Sequence, residues 1–129
     1  HLNSYVTDSE TFHYFFPRKV MLSFASEVYI YFPGGFGTLD EFFEVLTLVQ
    51  TQKIARIPIV LVGKEFWDPM VLWCRDTLCT KQKTISEKDL DLFVVVNSAD
   101  EAYKYICDTL EKKRCDEHTS SDSPEAFGV

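Results

Sequence analysis

The stretch FPGGFGTLDE, residues 32–41, lies between a short apolar run and a segment with helical periodicity. Its three glycines fall within four positions, so few side chains cover the backbone there. Glycine lets a backbone adopt positive φ, and it lets a ligand approach the backbone amides closely. The stretch therefore predicts a specialised turn between a strand and a helix.

The segments on either side of this turn fit that prediction. The run from Val28 to Phe32 is apolar and rich in β-branched and aromatic residues, which is typical of a strand buried on both faces. From Thr38 to about Lys53 the apolar residues recur at helical spacing. We expect this helix to begin at Thr38 and to hold Glu41 in its first turn. Thr38 is expected either to cap the helix or to donate its hydroxyl to a phosphate oxygen.

The alternation of strand and helix repeats along the chain. The pattern predicts strands at 59–62 and 93–96, and a helix at 11–26 that Pro17 interrupts. Two further helices are predicted, one at 66–79 with Pro69 in its first turn and one at 98–114 with Ser98 as N-cap. A short helical connection is predicted at 86–90, capped by Ser86 and Asp89. This order is typical of an α/β fold with a parallel sheet. Three strands make a thin sheet, so we expect further strands, either upstream in a longer chain or in a partner chain.

Length and composition limit the possible classes of protein. The 129 residues suit one domain, and we assign residues 1–114 to a partial Rossmann-like domain and residues 115–129 to a flexible polar tail. The formal charge of −7 argues against a general binder of nucleic acid or of anionic membranes. No apolar run approaches the roughly 20 residues that a membrane span needs.

Cysteine usage indicates the compartment. The chain has four cysteines, at positions 74, 79, 107 and 115, without a CxxC pair or histidines at zinc-finger spacing. We expect reduced thiols in a cytoplasmic protein and no metal site, with disulfides or metal ligation as the less favoured alternatives.

The glycine turn is also the expected ligand site. Ligands of open parallel sheets bind beyond the carboxyl ends of the strands, and the N-terminus of the following helix attracts anions. The stretch is neither a P-loop nor a GxGxxG fingerprint, so a tight turn without a ligand remains an alternative. Glu41 is either a carboxylate stabilised by the helix dipole or a group beside a bound phosphosugar. Arg18 and Lys19 are either solvated surface charges or part of the same site.

The stretch PGGFGTLDE, residues 33–41, and the upstream Arg18-Lys19 pair together resemble the LOG family of cytokinin-activating phosphoribohydrolases, which carries a PGGxGTxxE motif after an RK pair. The resemblance covers residue 3 to about residue 110 and looks like the larger, type II bacterial branch. It implies a Rossmann-like three-layer α/β fold with a parallel sheet. Family members carry an earlier half, so this chain is expected to be the C-terminal part of the fold, with the other half in the same protein or supplied in trans.

The resemblance also implies a function. Members of the family hydrolyse the N-glycosidic bond of nucleoside 5′-monophosphates to free base and ribose 5-phosphate, without a cofactor or a metal. Arg18 and Glu41 match the two catalytic residues of the family. The matches to nucleotide contacts are Lys19, Gly34, Gly35, Gly37, Thr38 and, less closely, Thr47. The implied partners are an AMP-like small molecule and further copies of the chain, in a dimer or a larger homo-oligomer. The alternatives are a nucleotide-binding or sensor module without turnover, and a purely structural domain.

Overall fold

The computed structural model describes Tyr5, residues 13–14, Lys19 and residues 25–120, with side chains described as far as residue 112. The predicted helix at 11–26, including Pro17, therefore falls mostly outside the described residues. Arg18 and the last part of the predicted tail, residues 121–129, also lie outside them.

Three short strands form a parallel sheet in the order β1-β2-β3. Strand β1 spans Tyr29–Tyr31, β2 spans Ile59–Val62 and β3 spans Val94–Val96. In the register of the sheet Tyr29 lies opposite Ile59, and Val60 lies opposite Val94. The α/β class and the parallel sheet are confirmed. The second strand matches its predicted limits, whereas the outer strands are shorter than predicted.

Helix α1 spans Phe36–Gln50, α2 spans Lys64–Trp73 and α3 spans Ala99–Ser120. A π-helical segment, Cys74–Lys81, continues α2, and a 3₁₀ helix, Glu87–Leu92, precedes β3. Among the helices formed by the described residues, none is long and apolar enough to cross a membrane.

The start of α1 differs from the prediction. The helix begins at Phe36 with Gly35 as its N-cap, so Thr38 is already inside the helix. Glu41 consequently lies in the second turn and not in the first, since the first turn of α1 contains no acidic residue. The prediction failed because Gly37 is a poor helix former, and the sequence therefore favours a later start.

Two other helices also differ from their predicted limits. Pro69 lies inside α2, which begins at Lys64, and not in the first turn. Helix α3 continues to Ser120, beyond the predicted end at Arg114 and into the segment expected to be a polar tail. The predicted caps are present: Ser98 Oγ accepts a hydrogen bond from the Glu101 amide at 3.2 Å. Likewise, the Asp89 carboxylate accepts one from the Ser86 amide at 2.7 Å.

The core has two faces because side chains alternate across β2. Ile59 and Leu61 pack with residues of α1 and α2, whereas Val60 and Val62 pack with residues of β3 and α3. Phe42 of α1 has no exposed surface. Its ring lies 5.6–5.8 Å, between centroids, from the rings of Tyr31 and Trp67. Helices thus cover both faces of the sheet, in the three-layer arrangement of a Rossmann-like fold.

The turns after β1 and β2 lie side by side at the carboxyl edge of the sheet. Gly63, which follows β2, has a φ of 104° and is the N-cap of α2. A Cβ atom on Gly63 would lie 3.3 Å from Cγ of Pro33, at the start of the glycine turn. This edge therefore brings the N-termini of α1 and α2 together.

Candidate functional site

The N-terminus of α1 presents bare backbone amides. No side chain among the described residues caps this end, and the first helical bond is donated by the Leu39 amide to the Gly35 carbonyl at 3.2 Å. The amides of Phe36, Gly37 and Thr38 come before that bond, where a helix supplies no acceptor of its own. These donors and the helix dipole make the turn attractive to an anion.

Glycine is present at the three positions of the turn for different structural reasons. None of them has positive φ, so that predicted reason is wrong for this turn. Gly34 is required by packing, because a Cβ atom there would collide with Oγ1 of Thr38. At Gly35 and Gly37 a Cβ atom would meet no other group of the described residues within 4 Å. The fold itself therefore does not require glycine at these two positions, and their backbone is open to an approaching group.

The two threonines of the predicted site lie far apart. Thr38 packs against Gly34 and does not cap α1. Thr47 is exposed, and its hydroxyl donates to the Phe43 carbonyl at 2.7 Å. Thr47 lies nine positions after Thr38 in the helix, which corresponds to about 14 Å along the axis. Thr47 borders instead an apolar cavity of about 100 Å³ between α1, the π-helical segment and the 3₁₀ helix. Within one chain, the structure does not bring Thr47 to the glycine turn.

Glu41 lies one turn beyond the amides of the glycine turn, with 35 % of its side chain exposed. Its backbone carbonyl accepts a hydrogen bond from the Tyr31 hydroxyl at 3.2 Å, which ties this part of α1 to the end of β1. Burial raises the pKa of Tyr31, and nearby Tyr29, Glu41 and Glu44 raise this pKa further. Tyr31 therefore remains a neutral hydrogen-bond donor at neutral pH.

Lys19 lies among carboxylates of α1. Its Nζ atom is 2.7 Å from Oδ2 of Asp40, 2.6 Å from Oε2 of Glu44 and 3.9 Å from Oε1 of Glu41. The hydrogen bond to Asp40 and the close carboxylate of Glu44 raise the pKa of Lys19, against an opposing effect of burial. The lysine therefore stays charged well beyond neutral pH. We call these four side chains the Lys19 clamp.

Sequence reasoning missed two members of the clamp, Asp40 and Glu44. Their signal is visible in retrospect, since acids at positions i and i+4 share one face of a helix. Ligand atoms of Asp40, Glu41 and Glu44 lie within 4.8 Å of one another, a spacing that also suits a metal ion. The Lys19 ammonium already lies among them, so the arrangement is an ion-pair cluster. Arg18, the other predicted catalytic residue, is outside the described residues.

These features define a three-layer α/β protein with an open, anion-attracting turn at the carboxyl edge of its sheet. The sequence model of the family described as "Possible lysine decarboxylase" matches residues 1–106. The chain belongs to this family, which is the LOG family that the PGGxGTxxE motif indicates.

A curated relative is the cytokinin riboside 5′-monophosphate phosphoribohydrolase of Rhodococcoides fascians. It is 27 % identical over 93 residues, which make up 67 % of this chain and 47 % of the relative. The chain thus spans about half the length of this relative.

Proposed function

We propose that the complete protein hydrolyses the N-glycosidic bond of nucleoside 5′-monophosphates. The substrate is AMP or an N6-modified AMP such as a cytokinin riboside monophosphate, and the products are free base and ribose 5-phosphate. Family membership and the name of the relative support this proposal. The observation that carries it is the uncapped N-terminus of α1, with bare glycine backbone, one turn before Glu41.

In this proposal, the amides at the start of α1 hold the 5′-phosphate. Gly35 and Gly37 leave room for its oxygens, since no other part of the described chain lies within 4 Å of where their Cβ atoms would be. The phosphate is remote from the bond that breaks. Holding it therefore contributes to catalysis by fixing the ribose in position relative to Glu41.

The reaction needs water and no other reactant. The oxygen of a water molecule bonds to C1′ of the ribose, while the bond from C1′ to the base nitrogen breaks and its electron pair leaves with the base. Positive charge develops on the ribose, and the Glu41 carboxylate stabilises that charge or orients the water. The proton released by the water balances the proton gained by the base. Arg18 stays charged, so we assign it to the charge on the leaving base or to the phosphate.

A chromatographic assay tests the proposal. The complete protein is incubated with AMP and with an N6-prenylated AMP, and free base and ribose 5-phosphate are measured. Glu41→Gln should lower the rate by about 10²–10⁴-fold, because it removes the charge but keeps the shape. Glu111→Gln on the exposed face of α3 is the matched control and should keep full activity. AMP binding without base release would favour a nucleotide-binding or sensor module, and a lack of both would leave the turn as a structural element only.

We also propose that the protein is a cytoplasmic homo-oligomer, a dimer or larger. Phe36 is 92 % exposed and Phe32 is 56 % exposed, and both lie beside the glycine turn. Apolar surface of this kind favours burial against another subunit. Sedimentation of the complete protein tests this assembly, and a monomer at micromolar concentration would contradict it.

A further inference from the structure

The Lys19 clamp joins two parts of the chain that lie on opposite sides of β1 in sequence. Lys19 precedes the strand, and its carboxylate partners follow it on α1. Only 12 % of the Lys19 side chain is exposed, compared with 58 % for Asp40 and 27 % for Glu44. The ammonium is therefore largely enclosed, and its short contacts go to carboxylates that neither the family motif nor the sequence assigns to the site.

The geometry argues against Lys19 as a direct phosphate ligand. The Lys19 ammonium donates a hydrogen bond to Oδ2 of Asp40 at 2.7 Å, and it also lies 2.6 Å from Oε2 of Glu44 as an ion pair. Oε1 of Glu41 is a third carboxylate oxygen nearby, 3.9 Å from the ammonium. A phosphate at this place would have to displace a carboxylate and would be repelled by the others. The phosphate site proposed above lies elsewhere, since Asp40 and Glu44 are about 6 and 12 Å along the helix axis from Phe36.

The clamp has a second consequence, for Glu41. Glu41 stands between Asp40 and Glu44 in sequence, and the shared lysine holds the three carboxylates together in spite of their like charges.

We propose that Asp40 and Glu44 are positioning residues that hold Lys19, and that Lys19 in turn orients Glu41 for hydrolysis. This inference rests on the proposed function. It changes the role that the family resemblance gives to Lys19, from a nucleotide contact to an anchor. A direct phosphate ligand and an anchor differ in the kinetic constant that they control, because an anchor acts on the reacting geometry and not on ground-state binding.

The experiment compares Lys19→Met, Lys19→Arg and the double variant Asp40→Asn/Glu44→Gln in the complete protein. For each, kcat and KM for AMP are measured, with Kd for ribose 5-phosphate. We expect Lys19→Met and the double variant each to lower kcat at least tenfold, while KM and Kd change less than threefold. Lys19→Arg should restore at least half of kcat, since it keeps the charge. The control Asp108→Asn/Glu111→Gln removes the same two charges from the exposed face of α3 and should change nothing.

Urea unfolding of Lys19→Met, of Glu44→Gln and of their combination distinguishes a loss of stability from a loss of catalytic geometry. A combined effect smaller than the sum of the single effects demonstrates the clamp in solution, and additive effects would overturn it. A Lys19→Met protein with normal kcat and a tenfold higher KM would also overturn the inference, because it would make Lys19 a substrate ligand. Absence of base release by the wild-type protein would instead refute the proposed function itself. Wild-type activity with unaffected variants would refute only the positioning role.

Discussion

Gly34 lies so close to the side chain of Thr38 that a Cβ atom at position 34 would overlap Oγ1 and lie 2.8 Å from Cβ of the threonine. Through this contact the glycine turn packs against the first turn of α1. It explains one glycine of the motif by packing alone, without a ligand.

The first prediction concerns this contact. Gly34→Ala should destabilise the protein by about 1–3 kcal/mol, because the new methyl group forces Thr38 out of its position. Chemical denaturation of the complete protein measures this loss. Adding Thr38→Ala should recover only part of the stability, since it removes Oγ1 but leaves the Cβ atom. A fully stable Gly34→Ala protein would contradict the observed packing.

Gly37 gives the opposite expectation. Among the residues that the structure describes, none lies within 4 Å of a Cβ atom placed there, apart from the neighbouring helical backbone. Gly37 is already helical, so Gly37→Ala should stabilise the protein by about 0.5–1 kcal/mol. The same methyl group would lie in the path of the proposed phosphate. Affinity for AMP should therefore fall about tenfold, which corresponds to 1.4 kcal/mol.

Calorimetric titration with AMP and thermal unfolding measure the two effects separately. Gain of stability with unchanged affinity would show that the phosphate does not approach the backbone at Gly37. The pair Gly34→Ala and Gly37→Ala thus separates a glycine needed for folding from one needed for binding.

Much of the fold could be predicted because its signals are local. The four residues of β2 are an unbroken apolar run that ends at a glycine, and the structure gives the strand the predicted limits. The caps by Ser86 and Ser98 follow from side-chain chemistry within three residues. The π-helical segment Cys74–Lys81 could not be predicted, since such helices are rare and have no distinct sequence pattern.

Less of the candidate site than of the fold could be predicted from the sequence. The turn and Glu41 follow from the motif, but the start of α1 depends on two residues, Phe36 and Gly37, with weak helix preference. The contacts of Lys19 with Asp40 and Glu44 span more than 20 residues of chain and arise from tertiary packing. No local pattern reveals such a contact. The catalytic role of Arg18 stays a prediction.

The third prediction concerns the reactivity of Lys19. The hydrogen bond to Asp40 and the close carboxylate of Glu44 raise its pKa, so less of the reactive neutral amine is present than at an ordinary lysine. Brief acetylation of the native protein at pH 8.5, followed by mass spectrometry, should modify Lys19 much more slowly than exposed Lys104. The variant Asp40→Asn/Glu44→Gln should raise the labelling of Lys19 toward that of Lys104. Equal labelling in the wild-type protein would contradict the clamp.

The last prediction concerns the 3₁₀ helix that precedes β3. Hydrogen bonds from Ser86, first of all from its backbone amide, lower the pKa of Asp89. A carboxyl group whose pKa is lower in the folded state than in the unfolded state stabilises the fold at pH values above the unfolded-state pKa of about 4. This stabilisation is lost as the pH falls through the pKa of the folded state. Asp89→Asn should therefore reduce the free energy of unfolding at pH 7 by about 0.3–1 kcal/mol, the usual contribution of a carboxylate at the N-terminus of a helix. The difference between wild type and variant should shrink as the pH falls below about 4. Urea unfolding between pH 7 and pH 3 measures it, and a difference that is independent of pH would show that the charge of Asp89 does not act through this cap.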